Sequence, residues 1–345
     1  MKRPVTIRDV ARRAGVSVAT ASRVLNRYEL VNDETRRRVL EVMADLKFTP
    51  SHAARRLSLG RTLTISVVIT FLTRPQAAER LRGVDAVLSD SEFDLVIYNV
   101  ESVEKRDQYL RTLPVAQRTD GLLVISLPPT SEEVAALAAA TIPVVVVDAH
   151  SPGLEALPRV VGDDRAGGEI ATRHLLQLGH RRVGFVGDAF DNPWGFTSGH
   201  DRYLGYQQAL AETGLPIRPD LVALGAHGRY EARELGLRLL ASPEPPTAIF
   251  AASDTQALGV MAAARELGLR VPEDLSVIGY DDIEAADYVG LTTVRQQLFE
   301  SGRKGAEILL KEIEARSATA PCVCLDPSIV SRATTAPPKG GPGPG

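Results

Sequence analysis

The chain has 345 residues, of which 44% are hydrophobic and 24% are charged, a composition typical of a globular protein with one or more cores. It has no run of about eighteen apolar residues and no apolar leader after Met1, so we expect neither a membrane span nor export and predict a cytoplasmic protein. The net charge of −3 divides unevenly, because the first 62 residues carry fourteen Lys and Arg against six Asp and Glu. A basic N-terminal head on an acidic body indicates that the head binds a polyanion.

The first 48 residues predict three short helices. Thr6 and Asp9 form a capping-box pattern for the first helix, and Gly15 ends it. Ser17 begins the second helix, which runs to about Leu25, and the third is predicted over 33–46. Apolar residues at helical spacing would form a shared core: Ile7, Val10, Ala11, Ala14, Ala21, Val24, Leu25, Val39, Leu40, Val42, Met43 and Leu46. This is helix-turn-helix geometry, in which the second helix enters the major groove of DNA.

Residues 63–335 alternate short apolar runs with amphipathic helices. Parallel strands buried on both faces are predicted over 63–69, 93–100, 121–125, 143–148, 182–187, 247–252 and 275–279. Helices are predicted between and after them, over 77–90, 103–113, 132–140, 166–178, 202–213, 230–240, 255–267 and 300–315. Repeated β-α order indicates an α/β body of doubly wound parallel sheets, and about 270 residues favour two lobes with a cleft between them.

The sequence therefore divides into four parts. A helix-turn-helix head spans 1–48, a basic connector spans 49–62, and the two-lobed body spans 63–335. The tail, 336–345, is rich in Pro and Gly and is predicted to be disordered. The two cysteines of the chain, Cys322 and Cys324, lie in a predicted strand over 321–325, and we expect them to be packing residues.

The head carries a specific pattern from Thr6 to Asn26, T-I-x-D-V-A-x-x-A-G-V-S-x-x-T-x-S-x-V-L-N. This pattern, followed by a connector and a two-lobed body, resembles the lactose/galactose repressor (LacI/GalR) family over about residues 4–335. It departs at Ala21, where the family often has valine. The resemblance implies a body similar to periplasmic sugar-binding proteins and a nucleoid-associated transcription regulator.

The resemblance also implies roles for residues of the head. Val18 and Ala19 fall where the family sets its operator preference, and their apolar side chains can contact a thymine methyl group. Arg23 falls at a base-contacting position, where a guanidinium can pair with O6 and N7 of guanine. Neighbouring polar residues are expected to face the DNA, contact phosphates or cap helices: Thr6, Ser17, Thr20, Ser22 and Asn26.

The connector has helical spacing over 51–59, but this segment is too short to form a stable helix on its own. In the family it folds on operator DNA and pairs with its dimer mate in the minor groove. Leu57 matches the leucine that the family inserts between base pairs, and Ala54 matches the preceding minor-groove contact. Arg55 and Arg56 are suited to the negative potential of the DNA backbone. A flexible basic linker is the alternative.

In the body, the resemblance places an effector site at the carboxyl ends of the strands, where open α/β sheets bind ligands. Asp254 directly follows a strand, and a carboxylate there can accept hydrogen bonds from sugar hydroxyls. Arg202 matches the effector-binding arginine of the family. Further residues fall at or near positions that commonly line this site: Asp148, Ser198, His227 and Asp281.

Two departures from the family affect the effector. Gln76 and Ala77 stand where many relatives carry an aromatic pair, after a loop that begins at Phe71, and we include Phe71 and Gln76 in the predicted site. The loop over 189–197 is aromatic, and Trp194 either stacks on a sugar or packs the loop. The sequence favours a carbohydrate effector, with a nucleobase or a sugar phosphate as the alternatives.

Motifs of nucleophilic, phosphate-binding and zinc-protease sites are missing, and no His or carboxylate has metal-ligand spacing, so we predict neither an enzyme nor a cofactor nor a bound metal.

We expect a homodimer that binds a pseudo-palindromic operator in double-stranded DNA, with a dimer contact on the helix over 77–90. The tail lacks a leucine heptad, which favours a dimer over a tetramer. We expect a repressor whose operator affinity is controlled allosterically by an effector bound between the lobes, with an activator as the alternative within this class. The basic head argues against a solute-binding protein. An enzyme fused to a DNA-binding head, such as a sugar kinase, would need a phosphate-binding loop.

Overall fold

A computed structural model describes residues 5–25, 30–48, 56 and 60–339 of the chain. Within these ranges, the head consists of three helices. The helices are α1 (Ile7–Ala14), α2 (Val18–Leu25) and α3 (Asp33–Asp45). Their core is formed by Val10, Ala11, Ala14, Ala21, Val24, Val31, Val39 and Met43. The prediction that Leu40 belongs to this core is wrong, because its side chain on α3 is 49% exposed.

Caps fix the ends of the first two helices, as the sequence predicts. The hydroxyl and the backbone N–H of Thr6 both donate to the carboxylate of Asp9, at 2.7 and 3.0 Å. The hydroxyl of Ser17 accepts from the backbone N–H of Thr20 at 3.0 Å. Gly15 adopts a left-handed φ of 67°, which ends α1 and turns the chain into α2.

The first lobe is a parallel six-stranded sheet covered by helices. Its strands are β1 (Thr64–Thr70), β2 (Asp94–Val100), β3 (Gly121–Ile125), β4 (Val144–Val147), β5 (Arg159–Gly162) and β11 (Cys322–Leu325). Its helices are α4 (Pro75–Leu88), α5 (Val103–Thr112), α6 (Ser131–Ala138) and α12 (Leu298–Glu314). The strand order is β11-β5-β4-β3-β1-β2. Every residue of β1 is buried, because helices pack on both faces of the sheet.

The second lobe repeats this architecture. Its strands are β6 (Val183–Asp188), β7 (Val222–Gly225), β8 (Ala248–Ala251), β9 (Ser276–Asp281), β10 (Thr292–Arg295) and β12 (Ser328–Val330). Its helices are α7 (Asp164–Gln177), α8 (Ser198–Glu212), α9 (Arg229–Leu240), α10 (Asp254–Glu266) and α11 (Glu284–Tyr288). The strand order is β12-β10-β9-β8-β6-β7, and β12 runs antiparallel to β10.

The chain passes between the lobes three times, from β5 into α7, from β10 into α12 and from β11 into β12. Each lobe is therefore assembled from separate stretches of sequence, which the alternating pattern did not reveal. The predicted helix-turn-helix head and the predicted two-lobed body of doubly wound parallel sheets are confirmed. In the ranges described, no helix has the length and apolar content to cross a membrane.

Four short strands and one helix were not predicted from the sequence. Strands β5, β7, β10 and β12 have only three or four residues, and helix α11 has five. Strand β10 contains Thr292 and Thr293, which are polar although both are fully buried. Segments of three to five residues are too short to show a clear period, and β10 also lacks an apolar run.

Two expectations for the C-terminal part need correction. Cys322 and Cys324 are exposed, whereas the alternate residues Val323 and Leu325 pack against the first lobe, so the cysteines are not packing residues. The predicted disordered tail begins too early, because the backbone of Ala336 is hydrogen-bonded to the second lobe. Residues 340–345 of the predicted tail lie outside the described part of the chain.

Candidate effector cavity and operator-binding face

A cavity of about 480 Å³ lies between the two lobes. Its lining includes Phe71, Ser126 and Asp148, which follow β1, β3 and β4, and Asp188 and Asp281, which end β6 and β9. The carboxyl ends of both parallel sheets therefore face the same space. Ligands of open α/β sheets bind at such ends, and pockets between lobes are common ligand sites.

Eight of the nine residues predicted for the effector site line this cavity: Phe71, Gln76, Asp148, Trp194, Ser198, Arg202, His227 and Asp281. Because they come from both lobes, a ligand that contacted them would touch both lobes at once. The sequence analysis missed a further polar group of lining residues: Arg74, Arg80, Asp164, Asp188 and Gln296. Within the described ranges, no three His, Cys, Asp or Glu side chains cluster as metal ligands.

Asp254 does not line the cavity, and the prediction that it contacts the effector is corrected. Its side chain is fully buried at the start of α10, where it accepts from the hydroxyl of Thr293 and from the backbone N–H of Ile283. Burial, together with the charge of Asp281, raises the pKa of Asp254 well above its ordinary value. Asp254 is therefore a structural residue that ties α10 to β10 and to the loop after β9.

Arg202 lies almost fully buried on α8 at the base of the cavity. Its Nε donates to Asp164 at 2.8 Å, and its Nη1 donates to the carbonyl oxygen of Ala252 at 2.6 Å and lies 3.8 Å from Asp281. The guanidinium carbon lies 3.7 Å from the centre of the Tyr280 ring. Burial opposes this charge, but Asp164, Tyr280 and Asp281 keep the pKa of Arg202 above its ordinary value.

The two carboxyl groups beside Arg202 ionise less readily than exposed ones. Burial raises the pKa of Asp164, although Arg202 opposes the shift. Burial also raises the pKa of Asp281 to about 6, against the attraction of Arg202 and Arg80. A carboxyl group that ionises close to neutrality can accept hydrogen bonds as a carboxylate or donate one as an acid.

Arg80 of α4 is a second buried arginine at the cavity. Its Nη2 lies 2.6 Å from Asp148 and donates to Oε1 of Gln296 at 3.1 Å, and Gln296 donates in turn to Asp281. These four side chains link the first lobe to the second through the connection that follows β10. A sequence signal for Arg80 existed, because it is a charged residue on the otherwise apolar face of α4.

Close helix crossings position both arginines. A Cβ at Gly302 of α12 would overlap the carbonyl oxygen of Arg80, and a Cβ at Gly168 of α7 would overlap the carbonyl oxygen of Arg202. A side chain at either glycine would separate the two helices, because protein cores are too densely packed to absorb it. The packing of each lobe therefore sets the position of its cavity arginine.

One wall of the cavity is aromatic. The rings of Phe71 and Trp194 meet edge to face with centres 5.1 Å apart, and Trp194 stacks on Phe196 at 5.8 Å. The guanidinium carbon of Arg74 lies 3.8 Å from the centre of the Phe71 ring. Asn192 orders this loop by accepting from the backbone N–H groups of Trp194 and Phe196. Trp194 packs against the core of the first lobe and also lines the cavity.

A polar group from the second lobe completes the lining. Nδ1 of His227 lies 3.1 Å from both carboxylate oxygens of Asp188. Nε2 of Gln256 donates to the same carboxylate at 2.8 Å. Asp188 is thus held by two partners at the end of β6, with its carboxylate on the cavity.

Backbone strain concentrates at this cavity. Phe71, Ser126, Asp148 and Asp281 have positive φ angles of 48, 49, 55 and 119°. Residues other than glycine enter this region at a cost of about 1–3 kcal/mol each, and such residues cluster at functional sites.

Unsatisfied polar atoms are a second sign of a ligand site. Oε1 of Gln76, Nε of Arg80 and Oδ2 of Asp281 are buried at the cavity and have no hydrogen-bond partner among the residues that the structure describes. An unpaired buried group costs about 1–3 kcal/mol, so a ligand that pairs with these atoms gains that free energy.

The head presents the predicted operator-binding residues on the outer side of α2. Val18, Ala19 and Arg23 are exposed, and Thr20 and Ser22 are half-buried. Ser17 and Thr6 cap the helices, as described above. Four residues predicted to contact DNA, Asn26, Ala54, Arg55 and Leu57, lie outside the described part of the chain.

A helix-turn-helix head joined to two α/β lobes with a cavity between them defines the class of two-lobed DNA-binding regulators. Two family models match the chain accordingly. The model described as "Bacterial regulatory proteins, lacI family" matches residues 6–51, and the model described as "Periplasmic binding protein-like domain" matches residues 172–335.

Full-length relatives support the same classification. The chain is 37% identical to the HTH-type transcriptional repressor PurR of Haemophilus influenzae (strain PittEE), over 89% of this chain and 91% of that protein. It is 34% identical to the Ribose operon repressor of Haemophilus influenzae (strain ATCC 51907), over 95% of this chain and 97% of that protein. A structure of the Lac repressor dimer bound to operator and the anti-inducer ONPF matches 97% of this chain and 100% of its own, with a TM-score of 0.83 and 28% identity. The chain belongs to the LacI family of bacterial DNA-binding transcription regulators.

Proposed function

We propose that this protein is a repressor whose operator affinity is controlled by a small neutral molecule with several hydroxyl groups, a carbohydrate, bound between its lobes. The observation that carries the proposal is the composition of the cavity, which combines buried carboxylate and guanidinium groups with an aromatic wall. Contacts with both lobes would let the ligand favour one arrangement of the lobes over another.

The hydrogen-bonding groups of the cavity suit hydroxyl groups. A hydroxyl both donates and accepts, so it can pair with the carboxylates of Asp148 and Asp281 and with the guanidinium of Arg80. The three unsatisfied atoms comprise two acceptors and one donor, which is a pattern that neighbouring hydroxyls can match. The apolar face of a sugar ring can rest on Phe71 or Trp194.

The charge of the lining argues against a phosphorylated effector. Five aspartates line the cavity, Asp148, Asp164, Asp188, Asp191 and Asp281, against three arginines, Arg74, Arg80 and Arg202. A phosphate group would meet this excess of carboxylates at close range. A nucleobase is the second candidate, because the rings of Phe71, Trp194 and Phe196 offer an aromatic surface for a flat heterocycle. The likeness to a ribose operon repressor supports the carbohydrate.

A thermal-shift screen tests the effector class. The panel contains monosaccharides, disaccharides, sugar phosphates, and purine and pyrimidine bases. A ligand at 100 times its Kd stabilises the protein by about 2.7 kcal/mol. We expect a shift with a neutral sugar, and we expect Asp148→Asn to reduce it. Asp90→Asn, an exposed change after α4, is the matched control that keeps the shift. A response to sugar phosphates alone would contradict the proposal, and a response to a base would establish the second candidate.

We further propose that the repressor is a homodimer. The edge strand β2 exposes Val96 and Ile97, and the second lobe exposes Tyr288 and Val289 at the end of α11. Unpaired edge strands with apolar side chains are uncommon on monomers, because they promote association. The Lac repressor neighbour is a dimer, which supports this assignment.

Charged substitutions on β2 test the dimer. Ile97→Glu is expected to weaken self-association by tenfold or more, because it would bury an unpaired carboxylate in the interface, and to weaken operator binding with it. Sedimentation velocity over a concentration series measures the association. Leu267→Glu, an equally exposed leucine after α10, is the control. An unchanged oligomeric state in Ile97→Glu would contradict the proposed interface.

The connector is proposed to carry the signal from the lobes to the operator. Arg56 donates to Asp94 at the start of β2, so the connector contacts the strand proposed to form the dimer interface. A shift of the lobes would then move the two connectors relative to each other. Leu57 would enter the minor groove beside Ala54, and Arg55 would contact the DNA backbone.

A DNA footprint that overlaps the promoter supports repression, whereas a footprint upstream of it would indicate an activator.

A further inference from the structure

Cys322 and Cys324 form an exposed pair of thiols on β11. Residues i and i+2 of a strand share one face, and the two Sγ atoms lie 4.0 Å apart. Both cysteines are free, and both are exposed. Their strand lies at one edge of the first-lobe sheet as the structure describes it, next to β5. Neither the operator-binding head nor the effector cavity uses these residues.

The pair lies beside two of the three connections between the lobes. Strand β11 ends at Leu325 and continues through Asp326 into β12 of the second lobe. Its register places Leu325 opposite Gly162, the last residue of β5 before the connection to α7. The carbonyl oxygen of Asp326 also accepts from Nε2 of Gln297, which belongs to the connection after β10. A change in the path of β11 therefore reaches all three connections.

We propose that Cys322 and Cys324 are a redox-sensitive dithiol that a hydroperoxide oxidises to an intrastrand disulfide, and that this disulfide changes operator affinity through the connections between the lobes. One thiolate attacks the peroxide oxygen, forming a sulfenic acid and releasing water or an alcohol. The second thiol then attacks the sulfenic sulfur and displaces water. In sum, two thiols and one hydroperoxide give one disulfide, one water and one water or alcohol.

Closing this disulfide changes the geometry of the strand. On a strand, the Cα atoms of residues i and i+2 are separated by about 6.6 Å. Disulfides most often join Cα atoms about 5.5–6 Å apart, with an upper limit of about 6.8 Å. The Cβ atoms of a disulfide lie about 3.5–4.5 Å apart, closer than those of two residues on one face of a straight strand, so oxidation requires β11 to bend and shifts Val323, which pairs with Val160 of β5. Exposed and strained disulfides are readily reduced, as a reversible switch requires.

The environment of the thiols sets how easily they react. Partial burial raises the pKa of the exposed Cys322 thiol, and Cys324 adds to the shift, whereas Arg159 opposes it. The thiol is therefore mainly protonated at neutral pH, and the pair responds to excess peroxide rather than to trace amounts.

The experiment treats the full-length protein with hydrogen peroxide and follows the covalent state and DNA binding together. Because the chain has no other cysteine, any internal disulfide joins this pair. We expect the intact mass to fall by two hydrogens and the number of N-ethylmaleimide-reactive thiols to fall from two to none. Operator affinity is measured by fluorescence anisotropy on a duplex selected from a random library with the reduced protein. A change of about 5- to 150-fold, reversed by dithiothreitol, is expected.

Cys322→Ser and Cys324→Ser separate this effect from other oxidation. Each variant should lose the mass change and the dithiothreitol-reversible change in operator affinity. Sulfoxidation of Met43 in the head is not reversed by dithiothreitol, so it is distinguished by its persistence. Absence of an internal disulfide, or crosslinking between chains instead, would overturn the proposal. A disulfide that leaves operator affinity unchanged would overturn its regulatory half, and the effector response of the reduced protein then shows whether the lobes control the operator at all.

Discussion

Arg202→Ala is expected to abolish the effector response and to lower the free energy of unfolding by about 3–5 kcal/mol, the typical loss when one partner of a buried ion pair is removed. The guanidinium is almost fully buried and is the cationic partner of Asp164 and Asp281. Without it, two carboxyl groups remain buried with less compensation. Chemical denaturation measures the stability, and isothermal titration with the effector found by the screen measures binding.

The loss of stability should depend on pH. Burial already raises the pKa of Asp164 and Asp281 in the folded protein, and removal of Arg202 raises it further. A carboxyl group with a raised folded pKa contributes stability at low pH and loses it as the pH rises through that pKa. The difference between Arg202→Ala and the unsubstituted protein should therefore shrink as the pH falls from about 7 towards 5.

A double substitution separates folding from binding. Arg202→Met with Asp164→Asn removes both members of the ion pair and keeps most of the buried volume, so it should recover much of the lost stability. It should still fail to bind effector, because the charged hydrogen-bond donor at the base of the cavity is missing. A double variant that binds effector normally would contradict the assignment of Arg202 to the site. Equal stability of Arg202→Ala and the unsubstituted protein would contradict the buried ion pair.

The sequence predicts the central strands well because of their burial. Strands β1, β3 and β4 are covered by helices on both faces, so each appears as a run of apolar residues. Strands β5, β7 and β10 lie at the sheet edges or next to them and have four residues each, and β5 and β10 include polar residues. The routing of the chain between the lobes depends on these short strands, and a local pattern does not specify it.

The candidate site, too, is only partly predictable from sequence, because the burial of each residue depends on tertiary packing. The sequence points to both Asp254 and Asp281, to the first because it follows a strand and to the second through the resemblance to the family. Only the packed structure shows that Asp254 is sealed by Thr293 and Ile283 whereas Asp281 lines the cavity. Arg80 was missed although it lies on the apolar face of α4, because a single arginine on a helix is usually solvated, and only the packed structure shows α12 crossing α4 closely at Gly302.

In the head, Arg23→Ala is expected to cost about 1–3 kcal/mol of specific operator binding per half-site, or about 5- to 150-fold, and to relax discrimination at one base pair. Arg23 is exposed in the last turn of α2, on the same outer side as Val18 and Ala19. A bidentate contact with guanine explains a loss confined to one position, because other bases do not offer the same pair of acceptors. Anisotropy titrations on an operator selected in vitro, with each base pair replaced in turn, measure the discrimination.

If Arg23 contributed only its positive charge, discrimination between bases would not depend on it. Two further variants distinguish a contact with a base from a contact with a phosphate. Arg23→Lys keeps the charge but loses the planar pair of donors, so it should lose discrimination while keeping affinity for random DNA. Arg38→Ala removes one exposed charge from α3 as a matched control and should leave discrimination intact. If Arg23 contacts only a phosphate, Arg23→Ala should instead weaken all sequences equally and lower the salt dependence of binding by about one ion. That outcome would assign operator choice to Val18, Ala19 and their neighbours, and Arg23 would only position the helix in the groove.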